Sequence, residues 1–458
     1  MNNRPVSDIS ETFCPLPFNH IYIKPSNTAS VCCGFNSEHV PLRNISTFPA
    51  LKDHLETPMM KDIQQKMLKG EKVNGCETCY HAEKHGYKSM RQKEIEDWMP
   101  RRDQSGSPFT EVETQNKKLQ FIEITFGNYC NLACRTCGSD LSHSWIEDTK
   151  KLHRVGKFWS SHKVYERIDI KRDWSDEDFA DIERIKITGG EPMLHPDFYK
   201  FLESMKEDKI ECFIFTNASF VPKKKLLNAL LKFKKIQIFL SVDAIGDAQE
   251  YIRHNSVWKT TDDSARTWLQ YMKDNESVTV SWGPTWSILN APYIREICQW
   301  WLLLKNEILE SDILVSKSGQ VESNFLFFPK YYQMALLPDS DTYIAEARAY
   351  IDELDSSHLF GKMNIVNMLE GYISTYENSA DTLGTGEEAE TFRKEMLNNF
   401  VDITTTLDGY RNQSIEESLP RVYNSLKKYF SDTLFKSDNS KKYYTDEIDH
   451  DFIEEFSD

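Results

Sequence analysis

From residue 120 to about residue 315, strand-like and helix-like stretches alternate, and this alternation predicts an α/β fold on a parallel sheet or barrel. Short polar residues recur where successive strands end, the place where such folds gather functional groups. A cysteine-rich segment, residues 1–100, precedes the alternating region, and a mainly helical region, residues 316–458, follows it.

In the first segment His20-Ile21-Tyr22-Ile23 alternates and reads as a strand. A turn at Lys24-Pro25-Ser26-Asn27 leads to a second short strand, 29–32, and so to a hairpin. Residues 51–68 are helix-like, and Gly75 breaks the chain just before Cys76. A polar stretch rich in turn residues reads as a linker over 101–118. Strands are then expected at 120–126, 184–188, 211–215, 236–242 and 277–282, with helices between them at 196–206 and 222–233. Helices are expected again at 341–354 and 389–407. Residues 446–458 carry seven acidic side chains and no Lys or Arg, the composition of a solvated tail.

With 458 residues, 40% of them hydrophobic, the chain is long enough for a sizeable core and two to three domains. A net charge of −16 disfavours binding to a phosphate backbone, so no nucleic-acid partner is expected. No apolar run approaches the ~18 residues that would cross a bilayer, and the polar start lacks the features of a signal peptide. A cytoplasmic protein without a membrane partner is therefore expected. In that compartment clustered cysteines bind metal or do redox work more often than they form disulfides. Eight of the ten cysteines lie before residue 138, in three groups.

The sharpest group directly follows the first strand of the alternating region. Cys130, Cys134 and Cys137 are spaced Cys-x3-Cys-x2-Cys within one loop. Three thiolates from one loop can hold three irons of a four-iron cluster and leave the fourth iron open for a ligand. A zinc site with a distant fourth ligand is the alternative at this point. The next strand ends in Thr188-Gly189-Gly190-Glu191-Pro192, where the glycines permit close backbone approach and Glu191 offers a carboxylate to an ammonium. Later strands end in Thr216-Asn217 and in Ser241-Val242-Asp243.

Taken in order, these motifs resemble the radical S-adenosylmethionine superfamily over roughly residues 120–300. The resemblance implies a partial, TIM-like (β/α)6 barrel. It implies that S-adenosylmethionine chelates the open iron of a 4Fe-4S cluster held by Cys130, Cys134 and Cys137. Reductive cleavage would then give a 5′-deoxyadenosyl radical that abstracts hydrogen from substrate. By position, Gly189, Gly190 and Glu191 would contact the methionine amino group, and Ser241 and Asp243 the carboxylate and ribose. Thr216 and Asn217 join this cofactor-binding set. Arg253, expected in the helix after Asp243, would pair with the carboxylate, with a surface salt bridge as the alternative. Asn290 would approach adenine. Thr136 departs from the family pattern, because many members carry an aromatic residue there that shields the cofactor.

The N-terminal cysteines are similar in pattern to twitch and SPASM modules, which hold auxiliary 4Fe-4S clusters: a Cys-Pro start, a hairpin ending in a cysteine pair, a helix, and Cys-x2-Cys. In the best-known members that module follows the barrel, whereas here it precedes it. Cys14, Cys32, Cys76 and Cys79 are the expected ligands of a second cluster, with Cys33 the alternative to Cys32 because neighbouring residues point to opposite strand faces. Tetrahedral zinc fits the same four cysteines. Cys212 and Cys298, in apolar surroundings, are expected to fill the core. The expected partners are a substrate, either a peptide or a small metabolite, and a reductant such as flavodoxin or ferredoxin. A catalytically inactive cluster- or zinc-binding scaffold is the alternative function. Asp408-x-x-Arg411 is read as a structural ion pair, with a substrate contact as the alternative.

Overall fold

The computed structural model describes residues 11–37, 40–84, 88–101, 117–155, 166–205, 208–309, 321–326 and 329–429. Most of the expected linker, the boundary near residue 316 and the acidic tail lie outside these residues. The chain divides into two compact units.

The first unit comprises Met1–Tyr129, Arg167–Ile214 and Asn228–Gln237. Its strands are β1 (His20–Ile23), β2 (Thr28–Ser30), β3 (Arg43–Asn44), β4 (Phe121–Thr125), β6 (Arg184–Thr188) and most of β7 (Glu211–Thr216). The short β5 intervenes in sequence and belongs to the other unit. The strands lie in the order β7-β6-β4-β1-β2-β3. β1, β4, β6 and β7 run parallel in sequence, whereas β1 to β2 and β2 to β3 are antiparallel. The expected hairpin is therefore present, and its first strand pairs directly with β4, extending the sheet by three strands. The second strand ends at Ser30, two residues earlier than its pattern suggests, and Ser30 is its last residue in register with β1. The 51–68 stretch is two elements, a 3-10 turn at Leu51–Glu56 and an α-helix at Pro58–Leu68. Pro58 sits at the first helical position, with Thr57 as N-cap accepting from the Met60 N–H.

In register, Ile122, Ile124, Ile185 and Ile187 form one buried face of the sheet. The opposite face carries Tyr22, Glu123, Thr125, Lys186 and Thr188, as a period of two requires. Tyr22, Thr125 and Thr188 join through their hydroxyls at 2.9 and 3.2 Å, and Lys186 pairs with Glu123 at 2.8 Å.

The second unit comprises Cys130–Glu166, Phe215–Leu227 and Ile238–Asp458. It holds β5 (Ala133–Cys134), the C-terminal end of β8 (Lys235–Leu240), β9 (Arg253–His254), β10 (Val278–Trp282) and helices at Gly246–Ile252, Trp258–Asp274 and Ile294–Ile308. The expected C-terminal helices appear at Ser340–Ser356 and Gly386–Arg411, with Lys362–Glu377 between them. Its core is aromatic: Trp145, Trp268, Trp282, Trp286 and Trp301 are each under 2% exposed. Cys212 and Cys298, one in each unit, are fully buried core fillers, as expected.

Candidate metal and cofactor site

The cysteine loop starts with a backbone that only glycine accommodates. Gly127 has φ +66°, and a Cβ there would meet the Ile168 carbonyl oxygen at 2.3 Å. Gly189 is constrained in the same way: at φ +133°, its Cβ would lie 2.8 Å from the Phe126 nitrogen. The Gly-Gly-Glu turn is thereby pressed against the residues that lead into the loop. The Gly190 N–H donates to the Gly127 carbonyl at 3.3 Å, and the Glu191 N–H to the Tyr129 carbonyl, one residue before Cys130, at 2.7 Å. Glu191 is fully buried, and its carboxylate accepts from the Met193 N–H at 3.3 Å, capping the 3-10 turn Pro192–Leu194.

The loop itself lies in the second unit and is tied down by its own sequel. The Ser144 hydroxyl donates to the Cys130 carbonyl at 2.7 Å, the Cys130 N–H donates to His143 Nδ1 at 3.0 Å, and Trp145 Nε1 donates to the Cys134 carbonyl at 2.8 Å. On its other side β5 pairs antiparallel with β9, which sets Cys134 opposite Arg253. Arg253 thus follows the helix rather than sitting in it. It is also buried, so the surface salt bridge is excluded: its Nε donates to Asp243 Oδ2 at 2.8 Å and its Nη1 lies 4.0 Å from the Cys134 sulfur. The Asp243 carboxylate and the thiols overcome the burial that would otherwise depress this guanidinium, and its pKa is raised.

Asn217, at the end of β7, donates from Nδ2 to the Cys130 sulfur at 3.6 Å. Thr216 is turned inward, its hydroxyl accepting from the Ala218 N–H at 3.3 Å and its carbonyl from the Ser241 N–H at 2.8 Å. Asp243 Oδ1 accepts from the Thr285 N–H at 2.9 Å. Asn290 donates to the Asp243 and Thr285 carbonyls at 2.9 and 3.0 Å, and its oxygen accepts from the Ser287 N–H. Both ends of its amide are thus engaged within the protein, where they support the Asp243 turn.

Burial raises the Cys134 thiol, an effect that Arg253 opposes. Burial raises Cys137 further, with Cys134, Asp140 and Cys130 adding to it. Three soft thiols that feel one another, with an amide and a guanidinium directed at two of the sulfurs, suit an iron–sulfur cluster.

The second cysteine group gathers within the first unit. Cys14 feels Cys76 and Cys79, and Cys32 feels Cys14 and Cys76, while burial holds both thiols well above their usual value. Cys33 instead faces Glu123 and Lys186 across the hairpin. This divergence separates the two neighbours and favours Cys32 as the fourth member of the group. Gly75, at φ +100°, allows the tight approach of Phe35, and the Asn36 N–H donates to its carbonyl, bringing the Cys32 loop to Cys76. Arg91 bridges the remaining pieces: it donates to the Phe13 carbonyl beside Cys14 at 2.8 Å and pairs with Glu83, on the helix of Cys79. Thiolates are soft ligands of the kind that zinc and iron–sulfur clusters both take. Among the described residues, no three His, Cys, Asp or Glu side chains converge closely enough to hold a single metal ion.

Residues 124–284 match the sequence model of the Radical SAM superfamily. This segment is similar to a radical SAM domain. It begins inside β4 and contains every cysteine-loop, Gly-Gly-Glu and strand-end residue described above except Asn290. The match attaches no reaction class to this chain. Two curated proteins are similar to part of this chain. GTP 3′,8-cyclase of Campylobacter lari is 26% identical over 138 residues, 29% of this chain and 38% of that protein. GTP 3′,8-cyclase of Sulfurovum sp. is 24% identical over 131 residues, 28% of this chain and 36% of that protein. The chain thus spans little more than a third of the length of these relatives. Among solved structures, Streptococcus suis SuiB bound to S-adenosylmethionine is similar with a TM-score of 0.32 and 17% identity, over 52% of this chain and 45% of that one.

Sequence reasoning did not single out the supports of the cysteine loop. Ser142-His143-Ser144-Trp145, a run of hydrogen-bonding side chains directly after the triplet, was the available signal. Asp408 and Arg411 do not pair with each other: Asp408 pairs with Arg135, and Arg411 with Asp148.

Proposed function

We propose that Cys130, Cys134 and Cys137 hold a 4Fe-4S cluster on which S-adenosylmethionine binds, and that the enzyme abstracts hydrogen from a peptide or small metabolite. The observation that carries this reading is Arg253, which is at once the register partner of Cys134, a neighbour of its sulfur and the ion-pair partner of Asp243. When bound, the cluster and S-adenosylmethionine supply radical hydrogen-abstraction chemistry. Asn217 and Arg253 direct N–H groups toward thiolate sulfurs, which stabilises negative charge there and tunes the centre. Gly189, Gly190 and Glu191 bind the ammonium, Ser241, Asp243 and Arg253 the carboxylate and ribose, Asn290 approaches adenine, and Thr216 shapes the same edge. Asp243 also orients Arg253, through Oδ2.

The same proposal includes an auxiliary 4Fe-4S cluster on Cys14, Cys32, Cys76 and Cys79, in a twitch/SPASM-like arrangement within residues 1–100. It assigns a partial (β/α)6 barrel to 119–315, a linker to 101–118 and a helical region to 316–458. The remaining expectations belong to it too: a flavodoxin or ferredoxin as reductant, and a cytoplasmic location. Support for the auxiliary site comes from the mutual influence of these four thiols and the divergence of Cys33.

The test is S-adenosylmethionine binding to anaerobically reconstituted protein. In Glu191→Gln a charge-assisted hydrogen bond to the ammonium becomes neutral, which weakens binding about ten-fold, or about 1–2 kcal/mol. Unchanged affinity would remove Glu191 from the site, and absence of binding by the intact protein would end the proposal.

A further inference from the structure

Arg135 lies inside the cysteine triplet, yet its side chain points away from the thiols and is fully buried. Its guanidinium stacks on the Tyr251 ring at 3.7 Å, and its Nε donates to the Tyr251 carbonyl at 3.1 Å. Its Nη2 donates to Asp408, in the last turn of helix Gly386–Arg411, and to Gln413 Oε1 at 3.1 Å. Asp408 is fixed in turn, accepting from the Tyr251 hydroxyl and the Ile415 N–H, both at 2.9 Å. One turn along, Arg411 reaches the same loop by a second route. It donates to Asp148 at 3.0 Å and stacks on Trp145 at 4.6 Å, and Trp145 holds the Cys134 carbonyl. All these residues belong to the second unit.

The geometry points to a positioning role for Asp408 and Arg411: the end of this helix braces the 130–137 loop on both sides of Cys134. Neither residue touches a thiol. Asp408 acts through Arg135, and Arg411 through Trp145 and Asp148. A charge pair is used where an apolar contact would pack as well, because an ion pair with fixed hydrogen bonds specifies one loop conformation. The brace matters to function on the reading that Cys130, Cys134 and Cys137 hold a cluster, although its geometry stands without a metal.

The test compares Asp408→Asn, Asp408→Glu and Asp178→Asn with the intact protein. Asp178 pairs with Arg172 in another buried ion pair, in the first unit, so its variant controls for general loss of stability. In metal-free, reduced protein, alkylation of Cys134 followed by peptide mass spectrometry should speed up at least about ten-fold in Asp408→Asn, as the loop opens locally. Asp408→Glu should recover most of the protection, and Asp178→Asn should not change it. In reconstituted protein, Asp408→Asn should lower 5′-deoxyadenosine formation about ten-fold or more and alter the electron paramagnetic resonance signal of the reduced cluster. Intact protein that cleaves the cofactor, with Asp408→Asn matching it in both alkylation and cleavage, overturns the brace. Faster alkylation of Cys134 in Asp178→Asn, to the same extent, also overturns it. Protected Cys134 in a protein that never cleaves the cofactor, with the Asp408→Asn effect intact, supports the brace and refutes the functional reading instead.

Discussion

Cys32 and Cys33 are adjacent, but Cys14 and Cys76 bear on Cys32 whereas Glu123 and Lys186 bear most on Cys33, so replacing each by alanine separates their roles. With two clusters of four irons each, anaerobically reconstituted protein should carry about eight irons per chain. Cys32→Ala removes one of four thiolates from the N-terminal group and should bring the content to about four. Cys33→Ala should leave it at about eight, because that thiol faces Glu123 and Lys186 on the sheet. Colorimetric iron determination on both variants reads the difference directly. A thermal melt belongs beside it, since metal-binding energy in such sites is largely folding energy and Cys32→Ala should also melt earlier. The reasoning is refuted if Cys33→Ala loses about four irons, or if Cys32→Ala keeps all of them. Loss of one zinc rather than four irons from Cys32→Ala would make the site structural.

Two other expectations concern stability. Asp243→Asn leaves the buried Arg253 without a charged partner while keeping an acceptor for the Thr285 N–H; the cost should be about 3 kcal/mol, lowering the melting midpoint by several degrees, and an unchanged midpoint would contradict the buried pair. Burial lowers His20 from 6.5 to about 4 and His54 from 6.5 to about 3. The unfolded chain therefore binds protons that the folded one refuses, so their neutral burial is without penalty above pH 6.5 and stability falls as pH drops from there toward 4. His20 alone accounts for about 3 kcal/mol over that window. Denaturation midpoints measured between pH 7 and 5 should decline, and should decline less in the double His→Asn variant; identical slopes would refute the assignment.

Much of the site was legible because strand ends are local. The strands expected at 120–126, 184–188 and 211–215 end within a residue of β4, β6 and β7, and the cysteine spacing lies within a single loop. Cys32 and Cys33 could not be separated from sequence, since alternation says that they diverge without saying which one meets Cys14. Arg253 read as helical because the helix ends only one residue earlier, and its cross-strand pairing with Cys134 spans 119 residues. The partner of Arg135 lies 273 residues away, so no local pattern connects the loop to its brace. The Asp243 carbonyl that the Asn290 amide supports lies 47 residues away in sequence, so that hydrogen bond has no local signal either.

The central claim, that Cys130, Cys134 and Cys137 hold the cluster on which S-adenosylmethionine is cleaved, is tested most directly by replacing all three with alanine. The triple variant should lose about four irons and form no 5′-deoxyadenosine with dithionite, while the N-terminal group, whose ligands are separate, keeps its metal. A triple variant that still forms 5′-deoxyadenosine at the rate of the intact protein would contradict the claim.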